Sequence, residues 1–140
     1  GVDYHFISQE KFQEKMKKGE FLECAEVFGH WYGTLRSSVE KLQKEGKHVL
    51  LVIDTQGACQ IREKIEACFI FLSPPDVHVL KDRLHKRQRE STEAIEHRLS
   101  WAEKEMQMSH YYDYHIVNDN LEVAYEVLRS IVIAEEHRFN

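Results

Sequence analysis

The sixteen residues from Gly19 to Thr34, GEFLECAEVFGHWYGT, carry a carboxylate, a phenol and a hydroxyl that ordinary packing does not require. They read as two short strands around a turn at Gly29–His30. Strand alternation puts Phe21, Glu23 and Ala25 on one face and Leu22, Cys24 and Glu26 on the other, so the Glu23 carboxylate falls among apolar neighbours. Tyr32 follows the turn between Trp31 and Gly33, a glycine that favours close backbone approach, and Thr34 adds its hydroxyl two residues later.

A second set of chemistry-bearing residues is cationic. Within KDRLHKRQRESTEAIEHR, Arg83 and Arg87 stand four apart and share one helix face, and Arg98 lies on the next helix beyond QREST. Guanidinium forks match phosphate oxygens two at a time, so these arginines are candidates for one anion. The competing reading is a solvated charged face with Glu90, Glu93 and Glu96 as local partners. A third set is polar: Asp54-Thr55-Gln56, Ser73 and Asn118-Asp119 each follow an apolar run. In open parallel sheets ligands collect beyond the carboxyl ends of strands, which makes this rim a candidate site; helix caps and turns are the plainer explanation.

Positioning these groups requires the following elements. Tyr4–Ile7 is expected to be extended, and Ser8 to cap a helix carrying Phe12 and Met16, ended by Gly19. SSVEKLQKEG reads as a short helix with a Ser37/Glu40 capping box and a stop at Gly46. HVLLVID (48–54) is a continuous apolar run, as in a strand covered on both faces, and leads into a helix at TQGACQIREKI. CFIFLS (68–73) is a second such strand, followed by a break and cap at Pro74-Pro75-Asp76 and a helix over VHVLKDRLHKR. A long amphipathic helix then carries Ile95, Leu99, Ala102 and Met106 on one stripe. YDYHIV (112–117) is a third strand, and Asn120 caps a last helix whose stripe includes Leu121, Ala124, Val127, Leu128 and Ile131. Strands alternating with helices predict a parallel α/β sheet with helices on its faces, and residues 1–47 read as a mixed antiparallel insert.

With 140 residues the chain has length for one domain with a modest core. The net charge of −5 means that a nucleotide or nucleic-acid site must come from a local basic cluster. That cluster is short and mixed with acids, which argues against a role on nucleic acid. No apolar run approaches a membrane span, and the first residues show no secretory pattern, so neither a membrane nor a secretory role is expected. Cys24, Cys59 and Cys68 form no CxxC and read as three small buried hydrophobes in a reducing cytoplasmic compartment. The nine histidines are scattered without metal-ligand spacing, so no metal site is expected from them. The chain opens on Gly1 rather than Met, which suggests a longer parent.

The blocks GVDYHF, GEFLECAEVFGHWYGT, VLLVIDTQGA, PPDVHVLKDRLHKR, AIEHRL and DYHIVNDNLEVAYEVL resemble, in order and spacing, those of bacterial guanylate kinases across essentially the whole chain. The resemblance implies a parallel-sheet P-loop-kinase-like α/β core with a mixed GMP-binding insert and a small helical lid. It divides the chain into residues 1–47 (GMP-binding region), 48–81 (core), 82–98 (lid) and 99–140 (core). It implies transfer of the γ-phosphoryl group of ATP to GMP, with Mg2+ accompanying ATP. On this likeness Glu23 matches the acid on the guanine N1–H and exocyclic amine, Thr34 the hydroxyl on the O6 side, and Tyr32 the phenol on the GMP phosphate. Asp54 matches an acid near the base. Arg83, Arg87 and Arg98 match arginines around the transferred phosphoryl group, and Asn118 a residue beside the adenine.

Several positions depart from the family's pattern. No GxxxxGK[ST] phosphate loop occurs in the chain, so the expectation is a fragment with little or no turnover by itself. Val52 stands where the family usually carries an acid, Gln88 where a lid glycine is common, and Cys24 in place of an aromatic residue. A second reading, a non-catalytic guanylate-kinase-like module binding phosphopeptides, is similar in sequence; Asp54, the QGA turn and the arginine set lean towards the enzyme.

Overall fold

The computed structural model describes residues 4–86 and 91–139. The chain divides into two compact units, Gly1–Ala67 and Cys68–Asn140.

In the first unit, α1 (Gln9–Lys17) starts at Ser8, whose hydroxyl oxygen accepts from the Lys11 N–H at 3.4 Å. Such a cap contributes about 1 kcal/mol. The helix closes where Gly19, at φ 66°, donates to the Met16 carbonyl and Glu20 donates to that of Lys15. The Phe12 ring stacks on Phe21 at 4.5 Å, and both are buried.

Phe21 opens β1 (Phe21–Val27), which pairs antiparallel with β2 (His30–Leu35). Val27 faces His30, so the turn is Phe28–Gly29, one residue earlier than the expected Gly29–His30. The twist of a two-residue hairpin needs positive φ at both central positions, and Phe28 and Gly29 take 49° and 79°. The register slips between Phe21 and Glu23, where a bulge at Leu22 opposes two residues to one. Phe21, Leu22 and Glu23 are consequently all buried, and the expected two-face alternation fails over this stretch.

Two further expectations for this unit are corrected. α2 (Arg36–Lys44) follows β2 directly, with Leu35 as an N-cap that makes no side-chain bond. Ser37 already lies inside the helix, too late to form a capping box with Glu40. Residues 48–54 form no strand ladder among the described residues. Val49, Leu51 and Ile53 are half-buried, but Leu50 is 66% and Val52 92% exposed, so only one face is covered. Without a pairing neighbour the outward face has no layer to pack against. α3 (Thr55–Arg62) then packs against β1, burying Gly57, Ala58 and Ile61.

In the second unit, β3 (Ile70–Ser73) and β4 (Tyr114–Val117) pair in parallel, with Ile70 opposite Tyr114 and Ser73 opposite Val117. Parallel pairing demands a long crossover, supplied by α4 (Val77–Lys86) and α5 (Thr92–Gln107). Asp76 accepts from the Val79 N–H at 2.8 Å and Ser91 from that of Ala94 at 3.3 Å, fixing both helix starts. Ile95 is buried and Leu99, Ala102 and Met106 are half-buried, as the stripe predicts.

α6 (Leu121–Glu136) starts at Asn120, whose side-chain oxygen accepts from the N–H groups of Glu122 and Val123. Its Ala124 and Ile131 join Ile116 in a core flanked by Ile70, Tyr114 and Leu128. Leu121 and Val127 are exposed, against expectation. Val127 lies roughly 100° round the helix from Leu128, and Leu121 stands in the first turn, ahead of the inward line.

The cysteines also differ from expectation. Cys59 and Cys68 are exposed and Cys24 is half-buried, all three as free thiols. No described helix is long and apolar enough to cross a membrane.

Candidate functional site

The hairpin register sets Glu23 opposite Thr34, and the Thr34 hydroxyl donates to Glu23 Oε1 at 2.6 Å. Only 4% of Glu23 remains exposed. Burial pushes its pKa up, and the Thr34 hydroxyl pulls it back; Asp54 adds a further upward push, while the Thr34 backbone and Lys64 act downward. Net, its pKa lies above the usual glutamate range. An ionised carboxylate has about four lone-pair positions, so Thr34 leaves acceptor capacity over.

The backbone that carries Glu23 is held on both sides of it. The Gln60 amide donates to the Cys24 carbonyl at 2.8 Å and accepts from the Cys24 N–H at 3.1 Å. The Lys64 ammonium donates to the Leu22 carbonyl at 2.7 Å. On the same helix, a Cβ at Gly57 would lie 2.8 Å from Glu23 Oε2, so a side chain there displaces the carboxylate. Gly33 is tight as well: a Cβ would stand 2.9 Å from Phe21 Cδ1 and 3.1 Å from the Glu23 carbonyl oxygen, the close approach read from the sequence.

Asp54 caps α3, with Oδ1 accepting from the Gly57 N–H at 2.9 Å and Oδ2 from Gln56 Nε2 at 3.1 Å. Its cap role, the plainer of the two readings, is present, and so is its proximity to Glu23. Tyr32 is half-exposed and meets Tyr4 edge-on at 5.9 Å. The first unit therefore gathers Glu23, Thr34 and Asp54, with Tyr32 on the same hairpin.

In the second unit, Asn118 extends the ladder by donating its N–H to the Ser73 carbonyl at 2.7 Å, which joins two of the polar strand ends. Arg83 reaches this end: Nη1 donates to the Asn118 carbonyl at 2.8 Å and Nη2 to that of Asp119 at 3.3 Å. The buried Ser73 hydroxyl lies 2.8 Å from His115 Nε2. Arg98 is half-buried on α5, and Arg87 lies outside the described residues, as does Gln88. Among the described residues, no group of three His, Cys, Asp or Glu side chains is placed to hold a metal ion.

The sequence marks Gly57 only as part of the QGA turn and assigns no role to Gln60 or Lys64. Their spacing of three and four places them on one helical face, a signal legible in QGACQIREK once that helix is known to pack on β1.

Residues 1–135 match the guanylate kinase family. The guanylate kinase of Protochlamydia amoebophila is 51% identical over all 140 residues, which span 71% of that relative. That of Chlamydia felis is 45% identical over 99% of the chain and 68% of the relative. The guanylate kinase of Clostridium perfringens is 45% identical, and the chain spans 64% of it. The crystal structure of guanylate kinase from Anaplasma phagocytophilum superposes with a TM-score of 0.82 at 34% identity, over 99% of this chain and 68% of that one. The chain belongs to the guanylate kinase family, with that family's α/β fold.

Proposed function

We propose that the chain serves ATP-dependent phosphorylation of GMP to GDP, with the first unit holding GMP. The reading rests on one observation above all: Glu23, buried in β1, retains acceptor capacity beside what the Thr34 hydroxyl and backbone donate to it. Guanine presents two donors on one edge, N1–H and the exocyclic amine, and a fixed carboxylate accepts both. Adenine lacks that pair and leaves the buried acid without partners. Sites of this kind reject the wrong analogue by about 10⁴–10⁵, beyond the reach of an apolar slot. Thr34 fixes the carboxylate's plane, Asp54 anchors the helix that flanks it, and Tyr32 is assigned to the GMP phosphate.

In the second unit the two Arg83 bonds to carbonyl oxygens set the Asn118–Asp119 loop. We therefore group Arg83 with Asn118 at the adenine end of ATP, and leave Arg98 and Arg87 as the proposed phosphoryl-facing cations. Phosphoryl transfer rests on alignment and charge neutralisation rather than covalent help, which is what arginines supply. The described residues make no cage for Mg2+, which accompanies ATP in this family. The proposed regions are 1–47 for GMP, 82–98 for the lid, and 48–81 with 99–140 for the core.

Calorimetric titration of the chain with GMP and AMP tests the acceptor site, and GDP formation with ATP and Mg2+ tests turnover separately. GMP is expected to bind selectively, and Glu23→Gln to abolish the preference. Equal binding of AMP by the unaltered chain overturns the assignment.

A further inference from the structure

We propose that Gln60 is a positioning residue for guanine selectivity, acting through the backbone on which Glu23 is carried. The inference rests on the assignment of GMP to Glu23 and goes beyond it by naming what keeps that acid in place.

A strand on the outer side of a hairpin exposes N–H and C=O groups on its open edge, free to bend or to pair with water. Among the described residues, β1 has one strand partner, β2. On the other side, α3 supplies side chains in place of a third strand. The Gln60 amide forms both bonds that a neighbouring strand would make to Cys24, donating at 2.8 Å and accepting at 3.1 Å. Lys64 completes the edge at the Leu22 carbonyl, 2.7 Å away. Leu22 and Cys24 are the two chain neighbours of Glu23, so its Cα is clamped from both directions. The clamp falls where the bulge at Leu22 leaves the β1–β2 ladder irregular and least able to fix register by itself.

The same helix sets the carboxylate's distance. Gly57 backs Glu23 Oε2 so closely that a Cβ would intrude at 2.8 Å. The spacing 57, 60, 64 brings all three residues to one face of α3 and its continuation, while Asp54 fixes where that helix begins. Misplacement of a recognition group by about 1 Å is enough to cost about 10²-fold in a positioned site, so a clamp on the backbone of Glu23 acts on selectivity without touching the nucleotide. Gln60 does this as a neutral group, adding no charge beside Glu23 and Asp54.

The experiment compares the full 140-residue chain with Gln60→Ala and Gln60→Glu. The glutamate variant keeps the acceptor for the Cys24 N–H but sets a carboxylate oxygen against the Cys24 carbonyl. Three quantities are read: GMP and AMP affinities by calorimetry, the thermal midpoint, and the pH titration of the Glu23 carboxyl by carbon NMR without ligand. Gln60→Ala is expected to weaken GMP roughly tenfold with AMP unchanged, and to move the Glu23 titration towards that of a solvated glutamate. Gln60→Glu is expected to lose selectivity as well, since only one of the two bonds survives. A lowered thermal midpoint with an intact GMP-to-AMP ratio and an unmoved Glu23 titration makes Gln60 a stability residue only and overturns the proposal. Absence of GMP preference in the unaltered chain overturns the GMP assignment instead, and the Glu23 titration still decides whether Gln60 positions the acid.

Discussion

Replacing Thr34 by valine removes one hydroxyl and keeps the side chain's shape, and the consequence depends on pH. The hydroxyl donates to Glu23 Oε1 at 2.6 Å, and Glu23 is buried. A hydrogen bond to an ionised group contributes about 1.5–3 kcal/mol, and one between neutral groups about 0.5–1.5 kcal/mol. Burial, followed by the neighbouring Asp54, raises the Glu23 pKa against the pull of Thr34. A raised folded-state pKa means the native chain holds its proton to higher pH than the unfolded chain. The stability this gives is fully present below the unfolded pKa and is lost as pH rises through the folded value. Thr34→Val removes a bond that favours the ionised form, so the folded pKa rises further and more stability is lost on the alkaline side. The expected destabilisation is about 2–3 kcal/mol at pH 8 and about 1 kcal/mol at pH 4.5. Urea unfolding, followed by the fluorescence of Trp31 and Trp101 at both pH values, gives the difference directly. Other titrating groups cancel between variant and parent. An equal loss at the two pH values, or a larger loss at acid pH, refutes the assignment of this bond to a carboxylate with a raised pKa.

Phe28 holds a φ of 49°, which costs a bulky residue roughly 1 kcal/mol, so Phe28→Asn is expected to raise the thermal midpoint by about 3 °C; no rise refutes the strained turn. Gly57→Ala brings a methyl to 2.8 Å of Glu23 Oε2 and is expected to weaken GMP binding at least tenfold by calorimetry, with far-ultraviolet dichroism retained. Asp54→Asn keeps a cap and removes a negative charge that raises the Glu23 pKa, so GMP binding should persist to lower pH than in the parent, while Asp54→Ala should cost about 1 kcal/mol of stability. Arg83→Met releases the Asn118–Asp119 carbonyls and is expected to weaken binding of a non-hydrolysable ATP analogue several-fold, with GMP affinity unchanged.

How far the sequence carries towards this site depends on how local each signal is. Ser8, Asn120, Asp76 and Gly19 act within one helical turn, and each does in the structure what its residue type and place imply. Glu23 and Thr34 were legible as chemistry-bearing residues of one hairpin, but not as a pair: a turn at Gly29–His30 would set Glu23 opposite Arg36, and the observed turn sets it opposite Thr34. The turn itself was misplaced by one residue, since GH resembles a turn only until the twist demands positive φ at Phe28 as well. Failures concentrate where a third body decides. The apolar run at 48–54 specifies a strand covered on both faces, yet a ladder and a second covering layer belong to the neighbours and not to the run itself. Likewise the apolar residues of α6 outnumber the positions that two paired strands can cover, leaving Leu121 and Val127 in water.

Gln60 shows the same logic from the opposite side. No composition or motif marks a glutamine as part of a recognition site, because its partner is a backbone thirty-six residues away. The spacing 57, 60, 64 becomes meaningful only once α3 is placed along β1. Recognition by a single buried acid makes a demand that the acid cannot meet by itself. A carboxylate that must be desolvated to be selective is also driven to protonate or to move, and each neighbour answers one of those tendencies. Thr34 holds the charge, Gly57 sets the distance, and Gln60 with Lys64 holds the chain. On the proposed assignment of GMP to Glu23, selectivity belongs to the hairpin-and-helix pair, and substitutions in α3 that never reach the nucleotide are expected to change it.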